Sequence, residues 1–199
     1  MKQAHRQDLF VWSQFNEPRN LDFHSFVWVR PQGNVLIDPL PLSAHDKAHL
    51  QALGGAAHIV VTNSDHTRDA LALARALGSE LCGPKAEREH FPIACTRWLG
   101  DGDEVVAGLR VFELAGSKTP GELALILEHS TLITGDLVRS HVGGKLNLLP
   151  ADKLTDAAAA RGSLARLVRE QPRLDCVLVG DGWPLFTDGL AQLRALSEP

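Results

Sequence analysis

Tyrosine is absent from this 199-residue chain, so no phenol can act as acid or nucleophile. Cysteine is scarce. Cys82, Cys95 and Cys176 are odd in number and form no Cys-x-x-Cys pair, which argues against a disulfide framework and a thiolate zinc site. A reduced cytoplasm is the expected address. No apolar run approaches the ~18 residues of a spanning helix, and the opening Met1 to Phe10 is too polar for a signal peptide. A net charge of −4 gives no electrostatic reason to bind nucleic acid or an anionic membrane. Gly116-Ser-Lys-Thr119 lacks the preceding glycine spacing of a phosphate-binding loop, so that reading is rejected.

What is present fits an ordinary globular protein. The hydrophobic fraction of 44% and charged fraction of 22% suit one domain, residues 1–199, with a well-buried core. Strand-like and helix-like segments interleave without repeats or an obvious linker. Phe23 to Arg30 and Asn34 to Asp38 read as a hairpin around Pro31-Gln-Gly33. Ser43 to Leu53 reads as a helix capped by Ser43 and ended by Gly54-Gly55. His58 to Thr62 is a short buried strand, followed by a helix from Thr67 to Leu77. Val105 to Leu114, Leu123 to Glu128 and Thr131 to Thr134 read as strands. Asp152 to Arg169 has helical spacing at Leu154, Leu164, Leu167 and Val168. Cys176 to Val179 is a last central strand, and Leu185 to Leu196 a closing helix. About ten short strands with a few helices suit two stacked sheets with helices outside.

The most informative stretch is Ala115 to Glu128, followed by Ser130-Thr-Leu-Ile-Thr-Gly-Asp136. Together with Val35-Leu-Ile-Asp-Pro39, Ile59-Val-Val-Thr62, Gly100-Asp-Gly-Asp103 and Val177-Leu-Val-Gly-Asp-Gly-Trp183, it resembles the metallo-β-lactamase fold of the glyoxalase II-like hydrolases. The resemblance runs from Phe23 to Trp183 and implies an αββα sandwich, of mixed α/β class. It also implies that Asp38 braces the loop beneath the metals and that Asp136 matches the aspartate bridging two metals.

The remaining ligand positions depart from that family. Ser117 and Lys118 stand where a metal-binding histidine is expected, and Asp181 where the last one is. The ligand loop reads Thr62-Asn-Ser-Asp-His-Thr-Arg-Asp69. Counted without gaps, Asn63 and Asp65 replace the first two histidines, and Thr67 and Arg68 the Asp-His pair. With a two-residue deletion, Asp65-His66 is that pair; this is the preferred reading, and the sequence leaves both open. The implied inner shell is Asp65, His66, Asp136 and Asp181, with Asn63, Arg68, Lys118 and Trp183 elsewhere in the cleft. One imidazole among carboxylates suits a divalent ion such as magnesium or manganese better than zinc, or no ion at all. A tight dinuclear zinc centre is not expected.

Bland readings stand beside these. Asp65 can cap the following helix, Asp181 can be a turn residue, and Lys118 can be a solvated loop lysine. Of the other histidines, His45 and His141 lie nearest the expected mouth. Two functions follow from the resemblance. The leading one is a metal-dependent hydrolase of a small substrate, with Asp65 or His66 positioning water, Asp136 and Asp181 holding the ion and Trp183 walling the pocket. The other is a catalytically silent member that binds a small molecule or acts in an assembly.

The charges add one more expectation. Two carboxylates ~4 Å apart repel by on the order of 4 kcal/mol at an effective dielectric near 20. A cluster built around a cation must therefore protonate, splay or recruit another positive charge when the cation is lost. Lys118 is expected to point into the cleft and pair with Asp136 or Asp181, with Arg68 the substitute. Asp65, Asp136 and Asp181 should meet at one end of the sandwich.

Overall fold

A computed structural model describes residues 1–198. Strands β2 (Leu9–Asn16) and β3 (Leu21–Trp28) form an antiparallel hairpin, with β1 (Lys2–Gln3) at its edge. Strand β4 (Val35–Ile37) pairs antiparallel with β3. It is followed by the parallel strands β5 (His58–Val60), β6 (Glu80–Pro84) and β7 (Arg97–Leu99), which complete a seven-stranded sheet in chain order. The second sheet is built from β8 (Glu104–Val106), β9 (Leu109–Leu114), β10 (Glu122–Leu127), β11 (Thr131–Thr134) and β14 (Cys176–Val179), in the order β14-β11-β10-β9-β8. A separate hairpin joins β12 (Val138–Val142) to β13 (Lys145–Leu148).

Strands such as β4, β10, β11 and β14 are buried on both faces because layers cover both. Phe26 and Trp28 turn to the core between the sheets, whereas Val27 turns outward. Leu123, Leu125 and Leu127 face the same inner core, and Ala124 and Ile126 the opposite side. This is the two-residue strand period with both faces buried. Helices α1 (Ala44–Ala52) and α2 (Ala70–Leu77) cover the first sheet through Leu50 and Leu73. Helices α3 (Ala157–Glu170) and α4 (Gly189–Ser197) cover the second through Leu164, Leu167 and Leu193. The result is the αββα order. Each fully buried leucine in these layers contributes roughly 1.5–3 kcal/mol by leaving water.

Several boundaries differ from the sequence reading for local reasons. The helix expected from Thr67 begins at Ala70, because Ser64–His66 is a 3-10 turn and Arg68 has a φ of 38°. Asp65 does not cap it; Asn63 caps the 3-10 turn instead, its side chain accepting from the Asp65 amide. The helix expected from Asp152 begins at Ala157, where Asp156 accepts from the Ala158 and Ala159 amides. Val105 to Leu114 is two strands, since Gly108 turns the chain at a φ of 88°. The final helix starts at Gly189 rather than Leu185.

Topology also positions the cleft. Strands β4 and β5 run parallel, as do β11 and β14, so the residues that follow them emerge at the carboxyl ends of their strands. Asp38 follows β4, Asn63 follows β5, Asp136 follows β11 and Asp181 follows β14. In sheets of this kind, loops at those ends gather into the binding crevice.

Candidate functional site

Gly135 opens the centre of the cleft. A Cβ there would lie 2.8 Å from both Asn63 Nδ2 and Thr62 Oγ1, so only glycine lets the β5 loop meet Asp136. The Asn63 amide then donates to Asp136 Oδ2 at 3.1 Å. Beneath this contact, Asp38 accepts from the Thr62 amide at 2.7 Å and the Thr62 hydroxyl at 2.6 Å. It also meets His66 Nδ1 at 2.7 Å, which gives it the bracing role expected from its motif.

The charged groups alternate in sign along one chain. The Lys118 ammonium lies 2.5 Å from Asp65 Oδ2 and 2.9 Å from Asp136 Oδ2. On the other side of Asp136, Arg139 Nη2 is 3.1 Å from Oδ1, and Arg139 Nη1 is 3.5 Å from Asp181 Oδ2. Asp181 Oδ2 is also 3.1 Å from His141 Nε2. A branch runs from Asp136 to His66 Nε2 at 3.5 Å and on to Asp38. Asp136, Arg139 and Asp181 are all buried, where unpaired charge is expensive.

These neighbours set the protonation states. Burial opposes a charged His66, but the carboxylates of Asp38 and Asp136 outweigh it, together with the opposing charge of Arg68, and hold the ring up at about 9. Burial would raise Asp136, yet His66 and Lys118 keep its carboxyl far below the usual range. Lys118 is raised: its partial burial is outweighed by Asp65 and Asp136. Beneath the cluster, Glu122 is pushed up to about 7 by burial and the charge of Asp136. Its Oε1 accepts from the Asp136 and Leu137 amides at 2.9 and 2.8 Å, and its Oε2 from Ser117 Oγ.

The cleft holds a cavity of about 430 Å³ lined by Asp65, His66, Lys118, Asp136 and Asp181 together with Arg19, Arg68, Phe23 and Leu40. The three aspartates therefore converge, as the loop topology requires. Asp65 and His66 do not act as one pair: Asp65 turns outward to Lys118, while His66 turns under the loop to Asp38. Ser117 turns inward and Lys118 outward, which separates the two residues that stand at the histidine position. Arg68 pairs with no carboxylate of the cluster; its Nη1 donates to the carbonyls of His24 and Asp38 at 2.6 and 2.9 Å. Trp183, expected as a pocket wall, lies outside this lining and is largely exposed beside Gly143. Phe23 and Leu40 supply the apolar wall instead.

Sequence reasoning missed Arg139, Glu122 and Arg19. A signal existed for one of them. Glu122 is a lone acid opening the six-residue, otherwise apolar and fully buried strand Glu122–Leu127, a position that calls for dedicated donors.

With this geometry, the comparison with known proteins is direct. The profile described as "Metallo-beta-lactamase superfamily" matches residues 1–199. The chain belongs to the metallo-β-lactamase superfamily. Among solved structures, the DIM-1 metallo-beta-lactamase is 15% identical, with a TM-score of 0.77 over 98% of this chain and 95% of that one. A metallo-beta-lactamase from Pontibacter korlensis is 15% identical, with a TM-score of 0.76 over 98% and 97%. TTHA1623, solved in a di-iron-bound form, is 22% identical, with a TM-score of 0.69 over 94% and 98%. Identities this low speak for the fold alone. No curated protein is significantly similar in sequence.

Superfamily members bind divalent metals such as zinc or iron. Among the described residues of this chain, no group of three or more histidines, cysteines and carboxylates is placed to hold an ion. The one imidazole facing the cleft has carboxylates at both nitrogens, and both oxygens of Asp136 face resident cations. A metal ion needs several free donors converging on one point, whereas Asp181 Oδ1 alone is left buried without a partner and Asp136 is flanked by resident cations, so this donor set does not fit a resident metal. No helix among the described residues is long and apolar enough to cross a membrane.

Proposed function

We propose that this chain is a remodelled, histidine-poor member of the superfamily in which side-chain cations occupy the place of the metal. Its cleft binds a small molecule without metal-assisted hydrolysis. One observation carries the reading: the Lys118 ammonium bridges Asp65 and Asp136 at 2.5 and 2.9 Å, from the turn where the family places a histidine. An ammonium with two carboxylates supplies the positive charge such a cluster needs. It does not supply the open coordination position through which a metal activates water. We place the protein in the cytoplasm, acting on a small molecule rather than on nucleic acid or membrane. The free cysteines Cys82, Cys95 and Cys176 support that compartment.

The competing reading is a metal-dependent hydrolase of a small ester, thioester or phosphoester. Asp181 favours it, because its Oδ1 is buried and has no hydrogen-bond partner. Elemental analysis of protein purified without chelator separates the two. Substoichiometric metal and no measurable β-lactamase or glyoxalase-type hydrolysis are expected; one or more tightly held ions per chain would refute the proposal.

Lys118→Ala provides the second test. Asp65 is half-exposed and Lys118 partly so, so water screens much of the pair, and the loss near pH 7 should be about 1–2 kcal/mol. Millimolar magnesium or manganese should recover part of that loss in the variant and leave the wild type unchanged. An unchanged melting temperature in Lys118→Ala would remove the ammonium from its assigned role.

A further inference from the structure

We infer that the cleft receives a small organic oxyanion, a carboxylate or a phosphate monoester, held by the guanidinium groups of Arg19 and Arg68 with the Lys118 ammonium beside them. This rests on the metal-free reading above and names the ligand class for the same cavity.

The charge left over in the cavity is positive. The carboxylates of Asp38, Asp65, Asp136 and Asp181 are already engaged by His66, Lys118, Arg139 and His141, and of their oxygens Asp181 Oδ1 alone is buried without a partner. A cationic ligand would find that single oxygen amid resident cations. The arginines of the lining are placed differently. Arg68 spends only Nη1 on neighbours, and those are the neutral acceptors His24 O, Ser25 Oγ and Asp38 O. Its Nε and Nη2 have no partner among the described residues. The Arg19 guanidinium rests against the Phe23 ring at 5.6 Å from its centroid, and Arg68 against the same ring at 5.8 Å. Arg19 has no ion pair among the described residues. Lys118 spends two of its three N–H donors on Asp65 and Asp136 and keeps one.

Two guanidinium groups that line one cavity beside the same ring match the planar, forked acceptors of a carboxylate or phosphate. The cavity of about 430 Å³ is the size of a small-molecule site. Phe23 and Leu40 offer a short apolar wall for the carbon body of the ligand.

The test uses the full chain, shown metal-free by elemental analysis. It is titrated with sodium phosphate and separately with sodium acetate, against sodium chloride at matched ionic strength. Arginine Nε–Hε NMR shifts report binding. Saturable shifts with either probe, beyond those in chloride, are expected; tighter phosphate binding points to a phosphate ester and tighter acetate binding to a carboxylate. Arg19→Gln, at an exposed position, should weaken the affinity about tenfold, the effect of one charge-assisted contact. Arg68→Lys should weaken it as well, because one ammonium cannot hold the carbonyls and a ligand together. Weakening in either variant supports the assignment. No saturable shift with either probe, or an affinity unchanged in both variants, overturns it. Failure here leaves the metal-free reading intact, whereas stoichiometric metal in the purified protein would sink that reading first.

Discussion

Arg139→Ala should destabilise the protein by about 3–5 kcal/mol, the cost of leaving buried charge without its partner. Arg139 is 5% exposed and is the sole resident cation that bridges Asp136 to Asp181 among the described residues. Its Nε also donates to the Asp136 carbonyl at 3.1 Å. Removing it leaves Asp181, already short of a donor at Oδ1, with only His141. Chemical denaturation near pH 7 gives the loss directly. Adding Asp181→Asn to the variant should return part of it, since a neutral amide tolerates burial better than a carboxylate. A loss below about 1 kcal/mol would mean that water reaches these aspartates and that the alternating chain of charges is not a structural unit.

His66 should give stability a distinct alkaline slope. Its folded pKa, about 9, lies above the ordinary 6.5, so the folded state binds its proton more tightly than the unfolded chain. The stabilisation is therefore fully present below about pH 6.5 and is lost as pH rises through about 9. For a shift of this size the total is on the order of 3 kcal/mol. The groups that face the ring are Asp38, Asp136 and Arg68, and Arg68 keeps its charge over that range. Stability measured from pH 6 to pH 10 should fall in the wild type. His66→Gln should be less stable at pH 6 and fall less steeply across the same range, keeping the slope that Glu122 and the three cysteines, all raised by burial, contribute. A variant as steep as the wild type would assign the slope to other groups.

The sequence reached the layered fold because its signals are local and repeated. Buried runs such as Leu123 to Leu127 and Cys176 to Val179 read as central strands, being apolar at every position and bounded by turns. Boundaries failed where one backbone angle decided them, as at Arg68 and Gly108, because a side-chain pattern does not encode φ. The loops that carry Asp65, Asp136 and Asp181 were legible because the motifs around them keep their order along the chain. The same order gave the family.

Partnership was legible only in part. Lys118 was expected to reach Asp136 or Asp181, and it meets Asp136 and Asp65, while Arg139 takes the connection to Asp181. Nothing in Gly135-Asp-Leu-Val-Arg139 announces a buried guanidinium, since an arginine three residues past a turn is ordinarily solvated. Trp183 read as a pocket wall and is outside, whereas Phe23 and Arg19, from the opening hairpin, line the cavity. By itself the sequence determined the layers, the carboxylates at the strand ends and the loss of the histidines. Tertiary structure alone decided the rest of the pairing, which sends Lys118 also to Asp65 and Arg139 to Asp181. Pairing of charges depends on distance and burial in space, and those are set by how the loops of two separate sheets meet.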